Sequence, residues 1–132
     1  MRHLFPCAVR FDDLDGYGHV NNVTFVEYLQ EARVDWAHTY ATDSRAAHEA
    51  AVVVHQEIDY LKPVPFRTDP LVVEVWVTRI GTSSYDLAYE VKADGATVAR
   101  ATSILVSYDL AAHGPRRLTP GERVVLERFQ ET

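Results

Sequence analysis

The chain has 132 residues, enough for one domain around one core; 47% are hydrophobic and 24% charged, which excludes a disordered or fibrous chain. A net charge of -6 argues against a general nucleic-acid binder, which needs a basic face. A single cysteine, Cys7, excludes an intramolecular disulfide and a cysteine-rich metal site.

Residues 4–12 alternate loosely and read as a short strand, followed by a glycine-bearing turn over 13–19. From Val20 to about Tyr40 the spacing is helical. Phe25, Val26, Leu29, Ala32, Trp36, Ala37 and Tyr40 form a wide apolar face, and Glu27, Glu31, Asp35 and His38 a narrower polar stripe. Arg33 falls inside the apolar arc and needs a partner or a route to water. Residues 41–50 read as a loop or a short helical turn.

The period then changes. Residues 51–61 are rich in β-branched side chains and read as a strand that "KPVPF" breaks. Strands are expected over 70–81, 82–93 and 96–110, the last two joined by a hairpin turn at Asp94–Gly95. The 70–81 strand is apolar on both faces, Val72 and Trp76 on one, Val73, Val75 and Val77 on the other, so its outer face or an edge is expected to meet another subunit. Residues 118–129 read as a terminal helix, with Thr119 as N-cap, Pro120 at the first position and Glu122 completing a capping box. The order is that of an α+β domain, a long helix burying itself against one antiparallel sheet.

Between Asp12 and Asn22 the polar residues crowd. "DLDGYG" starts like a calcium loop, but Tyr17 and Thr24 stand where ligands are required. His3, His19, His38, His48, His55 and His113 show no zinc spacing, so no metal is expected. Turn and capping chemistry explains Asp13 and one of Asn21 and Asn22, with Gly16 and Gly18 supplying positive φ. It does not use the whole cluster. A helix N-terminus offers free N–H groups and partial positive charge that can stabilise an oxyanion, and Asp15 and His19 lie just upstream, placed to attack or to activate water. His19 reads equally as a structural histidine bonded to a loop carbonyl. Cys7 reads as buried.

"DLDGYGHVNNVTFVEYLQEAR" resembles the hot-dog-fold acyl-CoA thioesterases related to 4-hydroxybenzoyl-CoA thioesterase, through Asp13, Asp15 and Gly18 of an Asp-x-Asp-x-x-Gly turn. Asp15, His19, Val20, Asn21 and Asn22 also resemble the Asp-x-Asn-x-His-Val-Asn-Asn run of plant-type acyl-carrier-protein thioesterases, with Tyr17 in place of the first Asn. The order of elements carries the resemblance over nearly the whole chain.

The resemblance implies a hot-dog fold over residues 1–132, a five-stranded antiparallel sheet wrapped around a long central helix. It implies hydrolysis of an acyl-CoA thioester at Asp15, acting as nucleophile or general base. The Asn22 N–H would polarise the carbonyl, with His19 and Asn21 beside it, and Glu27 is a second candidate carboxylate. Tyr17, Gly18 and Tyr60 are candidates for contact with substrate. Arg79 and Arg116, with Lys92, Arg100 and Arg117, are candidates for the CoA phosphates. No cofactor is expected. A homodimer or homotetramer with active sites at the subunit interface is implied. No nucleic acid or membrane partner is expected, and without a signal-like N-terminus the cytoplasm is the expected location. The alternatives are a hot-dog hydratase or dehydratase and a non-catalytic acyl-CoA-binding module.

Overall fold

A computed structural model describes residues 1–40 and 50–131. The segment read from the sequence as a loop or turn over 41–50 lies outside the described residues except for Ala50, as does His48. In chain order the elements are β1 (His3–Cys7), a 3-10 turn (Phe11–Asp13), α1 (Asn22–Tyr40), β2 (Ala50–Tyr60), β3 (Leu71–Ile80), β4 (Ser84–Ala93), β5 (Ala96–Asp109), β6 (Gly114–Pro115) and α2 (Pro120–Arg128).

The sheet runs β1-β3-β4-β5-β2 with every pairing antiparallel, and β6 adds two residues against β5. This is the expected five-stranded sheet with a short sixth strand, and α1 packs against its β1 and β3 side. The fold class is the hot-dog α+β arrangement expected from the sequence.

Local chemistry explains most element ends. β1 is an edge strand, where Pro6 removes no inner ladder bond. It stops at Cys7, earlier than the alternation suggests, because the Asp13 carboxylate accepts from the Arg10 N–H at 2.9 Å and folds the chain into the 3-10 turn. The β4–β5 hairpin turns at Asp94 and Gly95, whose φ of 52° and 82° match the paired left-handed conformation of a tight hairpin. At α2, Thr119 Oγ1 accepts from the Glu122 N–H at 3.1 Å while Glu122 Oε1 accepts from the Thr119 N–H at 2.9 Å. That is the expected capping box.

The core lies between α1 and the inner face of the sheet. Val73, Val75, Val77, Leu87 and Tyr89 are nearly inaccessible beneath Phe25, Leu29, Ala32 and Trp36. The buried face of α1 is narrower than its apolar arc. Tyr28 is buried, whereas Val26 is exposed and Ala37 also faces out. The polar stripe Glu27, Glu31, Asp35 and His38 is exposed as expected, and Asp35 reaches back to His3 at 2.7 Å. The outer face around Trp76 carries charge. Arg2 stacks 3.6 Å over the Trp76 ring and pairs with Glu74 and Glu131.

Cys7 is buried as expected, and burial, with the Asp13 and Glu31 charges, pushes its thiol up to about 12. At pH 8 a thiol reagent is therefore expected to label the native protein slowly. In denaturant it should react rapidly with the one cysteine. Fast native labelling would place Cys7 outside the core.

Candidate active site

The polar cluster folds into two nested turns at the N-terminus of α1. Asp13, 3% exposed, forms the inner one. Its Oδ2 accepts from the Arg10 N–H and, at 2.7 Å, from the Tyr28 hydroxyl, while Oδ1 accepts from the Arg10 guanidinium at 3.1 Å. Burial alone would raise this carboxyl, but the Arg10 N–H, Tyr28 and the Arg10 guanidinium together hold it below the usual carboxylate range. Its backbone oxygen accepts from the Asn21 N–H at 2.9 Å, fixing where the helix begins. Tyr28 lies outside the apolar arc read from the sequence. The sign of its bond to Asp13 is its position one turn after Phe25, on the buried face.

Asp15 heads the outer turn. Its N–H donates to His19 O at 2.8 Å, and its Oδ1 accepts from the N–H groups of Tyr17 (2.8 Å) and His19 (3.3 Å). Gly18 takes φ 83°, which a side chain would strain. Leu14 bridges Val20 below, and His19 bridges Pro65 of the break after β2. The Val20 N–H donates to Val64 O at 2.7 Å, so α1 starts at Asn22 rather than at Val20. Asp15 is half-buried with one oxygen fixed by backbone. Its Oδ2 accepts no hydrogen bond from the described residues.

Asn21 caps the helix. Its Oδ1 accepts from the Val23 N–H at 3.0 Å, and its backbone oxygen from Thr24 and Phe25. The Asn22 N–H donates to no described group, which leaves one free donor at the positive end of a 19-residue helix. Tyr60, at the end of β2, donates its hydroxyl to Asn22 O at 2.8 Å and packs edge-on against Phe25 at 5.6 Å. Tyr17 is 88% exposed at the tip of the turn.

Asp15, Tyr17, Gly18, His19, Asn21, Asn22 and Tyr60 thus gather at one helix mouth. The His19 ring makes no hydrogen bond with the Asp15 carboxylate; the two residues are joined through their backbones. Glu27 is exposed on the second turn of α1. Arg79 and Arg116 stand elsewhere. Arg79 pairs with Asp86 at 2.9 Å and Arg116 with Glu122 at 2.6 Å. Both lie near the far end of β5, by Ser84 and Ser107, whereas Tyr60 pairs with Ala99 near its start. Lys92 pairs with Glu74, and Arg100 and Arg117 are exposed.

Chemically, the turn offers a partly exposed carboxylate with one oxygen held and one open, and the helix it leads into offers an unused N–H at its N-terminus. That suits attack on a carbonyl, or activation of water, with stabilisation of the developing oxyanion.

Comparison with known proteins places this geometry in context. The family profile described as the thioesterase-like superfamily matches residues 9–129. The protein YsmA of Bacillus subtilis is 35% identical over 83 residues, covering 62% of this chain and 55% of its own length, so the match spans about half of that relative. The PA2801 protein of Pseudomonas aeruginosa is 34% identical with a TM-score of 0.83, over 92% of this chain and 95% of its own. A thioesterase of Thermus thermophilus, solved in complex with coenzyme A and Zn, is 30% identical with a TM-score of 0.83, over 96% of this chain and 92% of its own.

Proposed function

The chain belongs to the thioesterase-like superfamily, and from that membership we propose that it hydrolyses an acyl-CoA thioester to the free acid and coenzyme A at Asp15. The observation that carries the residue assignment is the asymmetry of the two carboxylates. Asp13 is consumed by the fold, while Asp15, on the turn that leads into α1, keeps an oxygen open, and the Asn22 N–H at the start of that helix is unused among the described residues.

Asp15 attacks the thioester carbonyl or takes the proton of an attacking water. The thiolate of coenzyme A leaves, and water supplies the oxygen of the acid. The Asn22 N–H receives the carbonyl oxygen as it gains charge. Two bonds to the His19 backbone, from the Asp15 N–H to His19 O and from the His19 N–H to Asp15 Oδ1, hold the Asp15 turn, and the His19 ring positions water. Asn21 holds the helix cap, and Tyr60 fixes the first helical turn from the sheet side. Tyr17 and Gly18 form the rim that meets the substrate.

Coenzyme A is favoured as the thiol because a 30%-identical thioesterase was solved with it. A carrier protein, itself acidic, suits a chain of net charge -6 less well. The whole chain forms one such domain and acts in the cytoplasm. Among the described residues no helix is long and apolar enough to cross a membrane.

The working unit is a homodimer or a dimer of dimers. β2 is an edge strand with Val52, Val53 and Val54 exposed, a row that antiparallel pairing with a second copy would cover. Such pairing sets the partner beside Tyr60 and makes the mouth an interface. Within one subunit Arg79 and Arg116 stand away from Asp15, so phosphate contacts from them come across that interface.

The test is thiol release from a panel of acyl-CoA esters, short and long, aliphatic and aromatic. Turnover of at least one class is expected from an assembly that sediments as a dimer or larger. No release from any ester would sink the proposal.

A further inference from the structure

A second polar array lies inside the domain, along α1 from the helix mouth. Arg33, half-buried on the sheet side of α1, donates from Nη1 to Tyr89 Oη at 3.2 Å. Tyr89 Oη lies 2.7 Å from Ser103 Oγ, and these two residues are 1% and 0% exposed. Gln56 of β2 stands opposite Ser103 in register. No carboxylate pairs with Arg33 among the described residues.

A half-buried guanidinium is costly to desolvate and ordinarily meets a carboxylate. Here it meets a phenol. Tyr89, accepting from Arg33, has one proton that it can give to Ser103, and Ser103 then has its own proton to donate onward. The array therefore offers donors: most of the guanidinium N–H groups and a serine hydroxyl. Two more polar atoms on the same elements go unused. Trp36 Nε1, one turn beyond Arg33, and Ser107 Oγ, on the same side of β5 as Ser103, are buried without a hydrogen-bond partner among the described residues. Native interiors rarely waste such groups.

A stripe of α1 runs from the mouth to the array. Val26 and Gln30 share the stripe of α1 that leads to Arg33, and both are exposed. Facing them is the inner side of β2, with Ile58 and Gln56 half-buried and Tyr60, which also holds Asn22 O, 47% exposed. Among the described elements α1 packs chiefly on β1 and β3, so it covers this strip less closely. Arg33 stands three turns along from Asn22, about 16 Å by the helical rise, and its side chain leans back toward the mouth.

Resting on thioester hydrolysis at Asp15, we propose that the Arg33–Tyr89–Ser103 array binds a carboxylate at the far end of the acyl group. The preferred substrates are then medium-length thioesters of dicarboxylic acids rather than plain fatty acyl thioesters. A carboxylate is acceptor-only and planar, and it matches the donors that a guanidinium presents.

The experiment compares suberoyl-CoA, whose free end is a carboxylate, with octanoyl-CoA of equal length. The wild type is expected to favour suberoyl-CoA in kcat/KM by about 10- to 100-fold, the range of a charge-assisted hydrogen bond. Arg33→Met should abolish the preference, chiefly through KM, and leave octanoyl-CoA within about threefold, a loss confined to the charged end. Arg33→Lys should restore part of it. Octanoyl-CoA hydrolysis without a wild-type preference for suberoyl-CoA overturns this inference alone. So does an Arg33→Met variant that loses both substrates equally or falls apart into monomers. Thiol release from neither ester by the wild type overturns this inference, while the hydrolase reading itself falls only if the wider ester panel also releases no thiol.

Discussion

Asp15→Asn is expected to lower kcat for thioester hydrolysis by about 10²–10⁴-fold, the span typical of losing a positioned acid–base group. The melting temperature should stay close to that of the wild type. The choice of Asn follows from the geometry. Asp15 Oδ1 accepts from the Tyr17 and His19 N–H groups, and an asparagine oxygen can keep both bonds. What changes is the open side, where a carboxylate oxygen becomes an amide that neither attacks a carbonyl nor takes a proton from water. Asp15→Ala would lose the turn bonds as well, so its defect mixes loosening with chemistry. Kinetics and thermal melting on the same preparations check this. Near-wild-type turnover by Asp15→Asn would remove Asp15 from the reaction.

Asp13→Ala should do the reverse and cost about 2–4 kcal/mol of stability, the scale for breaking a buried, charge-assisted network. The Tyr28 hydroxyl would lose its acceptor in the core, and the Arg10 turn that ends β1 would lose its anchor. The pH dependence has a definite sign. Because the Asp13 carboxyl is held below its ordinary range in the folded chain, its contribution is complete above the unfolded value of about 3.9. It is lost as pH falls through the lower folded value. Denaturant melts should thus show a wide gap between wild type and Asp13→Ala at pH 7 that narrows below about pH 4. A gap that stays constant across this range would mean that the carboxylate charge contributes nothing.

These opposite phenotypes show what a linear sequence can carry. Asp13 and Asp15 are separated only by Leu14, and turn chemistry alone says that some of the cluster is structural. Which oxygen stays open depends on Tyr28, fifteen residues on, and on the backbone of His19. The strands and both helices were legible because their periods differ and their ends carry local signals, Asp94–Gly95 and the Thr119–Glu122 box among them. The start of α1 was not, because Val64 captures the Val20 N–H across the fold. Val26 and Ala37 share the apolar arc yet face outward, since α1 rests on one side of the sheet. The need of Arg33 for a partner was legible, but its partner, Tyr89, lies 56 positions away. The sequence offers Arg79 and Arg116 as candidates for the CoA phosphates. The structure pairs them with Asp86 across a hairpin and with Glu122 in a helix cap, contacts that composition does not reveal.

One assay bears most directly on thioester hydrolysis at the helix mouth. A 2-enoyl-CoA is supplied to the wild-type protein while free thiol and enoyl absorbance are followed together. Hydrolysis predicts that one thiol appears for each acid formed, with the carbon–carbon double bond retained in the product. Loss of the conjugated double bond without thiol would mark a hydratase. Saturable binding with neither change would mark a carrier of acyl-CoA, and either result would contradict the role given to Asp15.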